Sequence, residues 1–368
     1  MSICLNMIVK NEVKNLPRLF ASLKGNVSSY VISDTGSTDN TIALIKELGK
    51  QYNIPGTIIE NEWVNFAHNR NIALNKAYEL VNTGEIQADW ILIIDADEEL
   101  IVNNISDSEL DPSISYKIHR HFKEISFSNV ALIATSQPKW EWKGAIHNFL
   151  VPKGNLRIET TTNYYINSHH FEGAKSENYS NQREKSTNDA KLLEIEIAEN
   201  NTTDPMRYFI QGNEYLEFDE NEKALNAYKT CLEKTKQQDL IYFSRIQIGV
   251  ILAFKLSKQE LGIHYFKQAL ETSPQRKEAY YYLGKMAQMS KNFEEAKKYY
   301  LLGKQITAIP YEDFLFDLSI YHWKIDVDLI LVYNQLQEKS ECLNLINEVQ
   351  QKGHIPQRNM ALINFLKR

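Results

Sequence analysis

Short apolar runs alternate with amphipathic segments along the first 175 residues. Runs typical of β-strands lie at 3–9, 30–33, 56–60 and 90–95, and patterns typical of helices lie around 39–50 and 66–82. Strands that alternate with crossover helices form a parallel sheet that is covered on both faces. The pattern therefore predicts an α/β domain with a mainly parallel sheet.

A polar cluster follows three of these apolar runs. The clusters are residues 10–12 (KNE), 34–39 (DTGSTD) and 95–99 (DADEE). In parallel sheets, ligands bind beyond the carboxyl ends of the strands, where such loops meet. We therefore expect the three clusters to line one crevice.

Beyond about residue 175 the pattern becomes helical, and a motif recurs in it. A small residue followed four positions later by an aromatic residue occurs at Ala224, Gly262 and Ala296, at offsets of 38 and 34 residues. Small residues let paired helices approach closely, and large aromatics fill the gaps between the pairs. The pattern is similar to tetratricopeptide repeats of degenerate sequence. An irregular helical bundle is the alternative interpretation.

These changes of pattern predict three segments. They are an α/β domain at 1–175, a linker helix at 176–203 and a tetratricopeptide-like helical domain at 204–368. A stacked array of helices presents an extended concave surface. We expect this surface to hold a peptide or protein, or to join two copies of the chain into a homodimer.

Composition and charge narrow the class of protein. The 368 residues are 43% hydrophobic and 24% charged, which is typical of globular proteins, and 41 Lys and Arg against 47 Asp and Glu give a net charge of −6. This charge argues against nucleic acid as a partner. The three cysteines have no disulfide or metal-ligand spacing, and no apolar run is long enough to cross a membrane. We expect a cytoplasmic protein without a signal peptide or transmembrane segment.

Asp95, Ala96 and Asp97 carry the most visible candidate chemistry. Side chains two apart on an extended segment point the same way, so both carboxylates can face one cation. Hard oxygen ligands on an open loop suit Mg²⁺ or Mn²⁺. The alternative is a solvated acidic turn, and we interpret Glu98 and Glu99 as solvated charges or as residues at a helix N-terminus.

Four segments in order carry a resemblance to a known family. NMIVKNE, VISDTGSTDNT, FAHNRNIAL and WILIIDADEEL resemble the family 2 glycosyltransferases, which have the GT-A fold, a Rossmann-like α/β arrangement. WKGAIHNFL, INSHHFEG and the helical stretch from residue 204 resemble the subgroup that carries tetratricopeptide-like helices after the catalytic domain. That subgroup includes the sublancin-type peptide S-glycosyltransferases, which make glycocins.

The resemblance implies roles for individual residues. It implies that the nucleoside is wrapped by Val9, Lys10, Asn11 and Glu12, that Asp34 reads the uracil ring, and that Arg70 contacts uridine diphosphate (UDP). It implies that Asp95 and Ala96 lie in the nucleotide-sugar site, where Asp95 reaches the ribose or a metal ion, and that Asp97 binds the metal. A metal-ligating histidine is expected at His170, with His169 as the alternative. The implied cofactor is Mg²⁺ or Mn²⁺, and the implied donor is a UDP-sugar.

One position departs from the family pattern. Relatives have an acidic residue, the catalytic base, where this chain has Asn148, and an amide cannot act as a general base. Glu141 or His147 could replace that base, or the acceptor could be a thiol that ionises with little help.

Two further pairs of residues keep two interpretations each. Trp140 and Trp142 suit either an acceptor or sugar platform or core packing. His119 and His121 suit either a basic strand face or a phosphate contact.

Together these observations predict an inverting, metal-dependent transfer of a hexose from a UDP-sugar to a peptide or protein side chain, by single displacement. The Cys, Ser or Thr side chain of the acceptor attacks the anomeric carbon. Two alternatives stay open. One is the same reaction on a lipid-linked or surface-polysaccharide acceptor, and the other is an inactive scaffold that binds sugar nucleotides.

Overall fold

The computed structural model describes most of the chain. The described residues are 2–103, 110–122, 125–144, 146–169, 182–199, 204–307 and 316–352, with residues 359, 360, 363 and 366. The chain divides into two compact units, one built from Met1–Glu196 and one built largely from Ile197 onward.

The first unit alternates strands and helices before it becomes mainly strands. Its strands are β1 (Ile3–Val9), β2 (Ser29–Asp34), β3 (Gly56–Glu60), β4 (Trp90–Ile93), β5 (Glu98–Val102), β6 (Ser115–Phe122), β7 (Ile125–Ala134), β8 (Trp140–Lys143), β9 (Phe149–Pro152) and β10 (Ile158–Ser168). Its helices are α1 (Leu16–Leu23), α2 (Thr41–Tyr52) and α3 (Phe66–Asn82), and α4 (Gln182–Glu199) follows.

The predicted α/β sheet is confirmed. Eight strands are ordered β3-β2-β1-β4-β7-β6-β10-β5, and β1 pairs in parallel with both β2 and β4. Every residue of β2 and β4 is buried. This burial explains why β4 is continuously apolar and why Tyr30, Val31 and Ile32 follow one another in β2 without alternation. The carboxyl ends of β1, β2 and β4 lie side by side and carry the three polar clusters.

The other half of the sheet adds antiparallel pairs that we did not predict from the sequence. β7 pairs antiparallel with β4 and β6, and β10 pairs antiparallel with β5 but parallel with β6. Two apolar clusters cover the two faces of the sheet. One includes Phe20 and Leu92, and the other includes Leu74 of α3, Ile93 and Trp142.

The second unit is helical, as predicted. Its helices are α5 (Pro205–Glu217), α6 (Asn221–Lys234), α7 (Gln238–Val250), α8 (Gln259–Thr272), α9 (Lys277–Met289), α10 (Phe293–Lys304), α11 (Ile325–Gln335) and α12 (Lys339–Lys352). The π-helical segments Ile251–Lys255 and Ile320–Lys324 and the short strand β11 (Phe316–Asp317) complete it. Successive helices pack as pairs, α5 with α6, α7 with α8, α9 with α10 and α11 with α12.

Glycines set the distance within three of these pairs. A Cβ added at Gly212, Gly249 or Gly284 would lie 2.7, 2.5 and 2.5 Å from the rings of Tyr228, Phe266 and Tyr300. In these three pairs the aromatic residue of the recurring motif therefore packs against a glycine of the preceding helix.

The cysteines, which lack disulfide or metal-ligand spacing in the sequence, lie in the core. Cys4, Cys231 and Cys342 are free and buried, and burial raises the pKa of Cys4 to about 11. Within the described residues, no helix is both long and apolar enough to cross a membrane.

Candidate functional site

Asp34 ends β2 and organises the turn that follows it. The backbone N–H groups of Gly36 and Ser37 donate to its Oδ1 at 3.0 and 2.8 Å. Gly36 has φ +96°, a conformation that favours glycine. The other oxygen, Oδ2, is buried and has no hydrogen-bond partner within the described part of the chain. A buried carboxylate oxygen in this state is a ready acceptor for an N–H of a ligand.

The loop after β1 is joined to this turn. Asn11, at φ 56°, donates its N–H to the Oγ of Ser37 at 2.9 Å and accepts the N–H of Thr38 on its Oδ1 at 2.8 Å. The N–H of Glu12 donates to the Oγ1 of Thr41 at 2.8 Å.

The neighbours of Asn11 differ in what they offer a ligand. The side chain of Val9 is buried in the apolar core, whereas Lys10 is exposed. Of the residues implied to wrap the nucleoside, Val9 thus presents backbone rather than side chain, and its carbonyl accepts the N–H of Thr35 at 2.9 Å.

The first turn of α3 fixes the loop after β3. Asn65 caps the helix by accepting the N–H of His68 at 2.9 Å. Asn69 is fully buried, and its side chain accepts the N–H groups of Val64 and Asn65 and donates to the carbonyl of Glu62 at 2.8 Å. One amide therefore satisfies three backbone groups of a loop that has no regular structure.

Arg70 joins α3 to the acidic loop after β4. Its Nη2 donates to both carboxylate oxygens of Asp95, at 2.8 and 2.9 Å. The Arg70 side chain is 13% exposed and that of Asp95 is 39% exposed. The structure thus brings together Arg70, which we predicted to contact UDP, and Asp95, which we predicted to reach the ribose or a metal ion, although they are 25 positions apart in the sequence.

Glu98 corrects our interpretation of the acidic run. We expected a solvated charge or a helix N-terminal residue, but Glu98 begins β5, is 3% exposed and forms an ion pair with the buried Arg120. Its Oε2 also accepts the N–H of Asp95 at 2.9 Å, and Nη2 of Arg120 donates to the carbonyl of Ile93 at 2.8 Å. A buried ion pair therefore holds both ends of the loop that carries Asp95. The sequence did not reveal it, because Glu98 and Arg120 meet only when β5 and β6 enter the same sheet.

The exposure of the side chains alternates along residues 95–99, as we predicted for an extended segment. Asp95, Asp97 and Glu99 are half-buried, whereas Ala96 and Glu98 are buried. Asp95 and Asp97 therefore share a side of the loop, and Ala96 contributes no exposed side chain.

The oxygen atoms at Asp97 are of the kind that bind a hard divalent cation. The carbonyl of Asp97 accepts the N–H of His169 at 2.9 Å, which places the end of β10 beside it. His169 itself is engaged, because its Nε2 lies 2.6 Å from Oε2 of Glu99. His170, the favoured metal ligand from the sequence, lies outside the described residues. The carboxylates of Asp97 and Asp95 are therefore the groups that would hold Mg²⁺ or Mn²⁺.

The candidate bases lie on or beside the hairpin β8–β9. Glu141 is 40% exposed and forms an ion pair with Lys153 at 3.6 Å. Its neighbours Trp140 and Trp142 are buried in the core, so strand alternation turns Glu141 toward the opposite face. Core packing is thus the correct interpretation of the two tryptophans.

His147, the second candidate base, and Asn148 follow β8. His147 is exposed with φ 42°. Nδ2 of Asn148 is buried and lacks a hydrogen-bond partner among the residues that the structure describes.

His119 and His121 lie in β6, but they do not make it the basic strand face that was one of our two interpretations. His119 is 5% exposed, and burial together with the charge of His121 lowers its pKa to about 4. Between them, Arg120 is neutralised by Glu98. The strand itself is present, but near neutral pH it carries little free positive charge.

Comparison with known proteins identifies the segment that holds this site. Residues 4–108 match the family described as "Glycosyl transferase family 2". The match includes Asp34, Arg70, Asp95 and Asp97, and it ends before β6.

Two curated relatives illustrate the range of similarity. A TPR repeat-containing protein of Synechococcus elongatus is 31% identical over 157 residues, which are 40% of this chain and 35% of the relative. An uncharacterized glycosyltransferase of Rickettsia felis is 32% identical over 115 residues, which are 31% of this chain and 33% of the relative. The chain spans about a third of the length of these relatives.

Two solved structures are also similar to part of the chain. The apo form of the quorum sensor NprR from B. thuringiensis has 18% identity and a TM-score of 0.42, covering 50% of this chain and 53% of that one. The C-terminal part of a TPR repeat-containing protein from Cytophaga hutchinsonii has 18% identity and a TM-score of 0.38, covering 46% of this chain and 62% of that one.

Proposed function

We propose that this protein is an inverting glycosyltransferase that moves a hexose from a UDP-sugar to a peptide or protein side chain, with Mg²⁺ or Mn²⁺ as cofactor. The match of residues 4–108 to the family 2 glycosyltransferases supports the reaction class. The fold supports it too, because the three polar loops meet at the carboxyl edge of a parallel sheet.

The hydrogen bonding of the Asp34 carboxylate is the observation that supports uridine as the nucleoside of the donor. Its buried Oδ2 lacks a partner among the described residues, whereas Oδ1 is held by two backbone N–H groups. A fixed carboxylate oxygen complements the N3–H donor of uracil and opposes cytosine, which carries a lone pair at the same ring position. Asp34 therefore favours a uridine nucleotide.

The reaction is a single displacement. The acceptor atom forms a bond to the anomeric carbon as the bond from that carbon to the diphosphate oxygen breaks, and UDP leaves with the bonding electrons. Arg70 stabilises the negative charge that develops on the diphosphate. A divalent cation held by Asp97 and Asp95 would add Lewis-acid stabilisation to the same leaving group.

A thiol acceptor agrees best with the surroundings of Asn148. Glu141 faces away from the side of β8 that meets Arg70, and Asn148 cannot remove a proton. A cysteine acceptor, with a pKa near 8.5, ionises with little help. The proposed acceptor is accordingly a peptide cysteine, in keeping with the resemblance to the sublancin-type enzymes.

Calorimetry with UDP and CDP tests the nucleotide assignment. We expect the protein to bind UDP more tightly than CDP, and Asp34→Asn to weaken UDP by about tenfold or more, because an amide N–H would face the uracil N–H. Asp39→Asn is the matched control, since Asp39 lies in the same turn but is exposed and accepts the N–H of Thr41. Equal affinities for UDP and CDP, or an unchanged UDP affinity in Asp34→Asn, would contradict the assignment.

Transfer to matched Cys and Ser peptides tests the acceptor. We expect transfer to the Cys peptide to rise with pH toward the pKa of the thiol, to be slow for the Ser peptide, and to change little in Glu141→Gln. A loss of about 10²-fold or more in Glu141→Gln would instead identify Glu141 as the base.

A further inference from the structure

Trp142 is buried under a cation rather than open to a substrate. It is 8% exposed, and the Cζ of Arg70 lies 4.7 Å from the centre of its ring. An aromatic face at this distance attracts a guanidinium, most strongly where both are shielded from water. The Arg70 side chain, at 13% exposure, meets that condition.

Asn71 fixes the strand that carries Trp142. Its Nδ2 donates to the carbonyl of Trp142 at 2.9 Å, and its Oδ1 accepts the N–H of the same residue at 2.8 Å. A side-chain amide that pairs with both backbone groups of one residue imitates a strand partner. β8 is therefore held against α3 at the residue next to Arg70.

Arg70 keeps hydrogen-bonding capacity in this arrangement. Asp95 engages only its Nη2, and Nε is buried without a hydrogen-bond partner in the part of the chain that the structure describes. A guanidinium has five N–H donors in a rigid fork. Nε is enclosed, so Nη1 is the group that Arg70 can present to an anion while Nη2 holds Asp95.

We propose that Trp142 and Asn71 are positioning residues that orient Arg70 toward the second phosphate of the nucleotide. The inference rests on the proposed binding of a uridine nucleotide. Trp142 supports the flat face of the guanidinium, Asp95 holds its end, and Asn71 holds Trp142 in register. An arginine fixed in this way adds affinity for a diphosphate without contacting the base, so it sets the preference for UDP over UMP.

The ratio of the UMP and UDP dissociation constants, measured by calorimetry, tests this proposal. We expect Trp142→Leu to reduce the ratio by about tenfold, mainly by weakening UDP, because the loss of the aromatic face frees the guanidinium. Trp142→Phe retains an aromatic face, so we expect its ratio to stay close to the wild-type value. Asn71→Ala leaves the indole in place, and we expect it to lower the ratio in the same direction.

Trp140→Leu is the matched control for packing. Trp140 lies in the same strand and the same apolar cluster as Trp142. Its backbone N–H donates to the hydroxyl of Tyr78, which lies in α3 about two turns beyond Arg70. We expect this variant to lose stability without a change in the UMP to UDP ratio.

The outcomes separate the two levels of the proposal. A wild-type protein that binds neither nucleotide would overturn the proposed function itself. A wild-type preference for UDP that persists in both Trp142→Leu and Asn71→Ala would overturn the positioning role alone. An equal fall of the ratio in Trp140→Leu would attribute the effect to packing and would also overturn it.

Discussion

At the residue scale, three consecutive side chains of α3 hold three separate parts of the site. Asn69 binds the loop after β3, Arg70 binds Asp95, and Asn71 binds Trp142. Successive helical residues point about 100° apart, so neighbours in sequence reach different surroundings. A short motif can thus organise a site that is assembled from distant segments.

The buried pair Glu98–Arg120 is expected to dominate local stability. Glu98→Ala leaves a guanidinium buried without its carboxylate, which costs about 3–5 kcal/mol in the free energy of unfolding. Glu79→Ala, which removes the exposed partner of Lys76, is the control, and exposed pairs contribute about 1 kcal/mol or less.

Urea unfolding measures both variants. The double variant Glu98→Leu, Arg120→Met should recover part of the loss, because no unpaired charge stays buried. Similar losses in Glu98→Ala and Glu79→Ala would show that the buried pair does not hold the loop.

His119 is expected to make stability depend on pH. Its pKa falls from 6.5 to about 4 on folding, so between these values the unfolded chain binds more protons than the folded one. The free energy of unfolding therefore decreases as the pH falls from about 6.5 to 4. The stability that neutral His119 contributes to the folded protein is fully present above pH 6.5 and is lost as the pH falls through this range.

Chemical unfolding at several pH values measures this effect. We expect His119→Gln to flatten the decrease, whereas His68→Gln, at an exposed position of α3, should leave it unchanged. An identical slope in wild type and His119→Gln would exclude His119 as its source.

At the element scale, the helix pairs depend on glycine opposite an aromatic ring. On helix propensity alone, Gly249→Ala would stabilise α7 by about 1 kcal/mol. Its Cβ, however, would lie 2.5 Å from Phe266, closer than any van der Waals contact. Because the overlap outweighs propensity, we expect a net destabilisation of about 1–3 kcal/mol.

A double-mutant cycle checks the cause. Phe266→Leu should cost less in the Gly249→Ala background than in the wild type, because the smaller side chain relieves the overlap. Additive effects of the two substitutions would contradict the proposed contact.

At the scale of the whole molecule, the proposed nucleotide site belongs to the first unit alone. All the residues that would bind UDP lie between Val9 and Trp142, and both apolar clusters of the sheet lie within Met1–Glu196. A fragment of residues 1–199 is therefore expected to bind UDP with an affinity close to that of the full chain. Transfer to a peptide should fall, because the helical surface is lost.

Calorimetry and a peptide transfer assay compare the fragment with the full chain, after thermal unfolding has established that the fragment is folded. Equal peptide transfer by both would rule out the helical unit as the acceptor holder.

The fold class and the edge of the sheet where the site lies were predictable from patterns along the chain. Apolar runs predicted β1, β2 and β4, because strands buried on both faces need mostly apolar side chains, and a shorter run predicted the partly exposed edge strand β3. The helical half was predictable as well, since small and aromatic residues recur at the spacing of helix pairs. These are local signals that do not depend on which segments meet.

The contacts between distant segments, in contrast, became visible in the folded protein. The antiparallel strands β5–β10 bring Arg120 to Glu98, so a residue expected in solvent is buried in an ion pair. α3 meets β8, so Trp142 supports Arg70 rather than facing a substrate. Pairings of this kind follow from sheet order and helix docking, which are set by the packing of the whole core, and no short-range pattern along the chain encodes them.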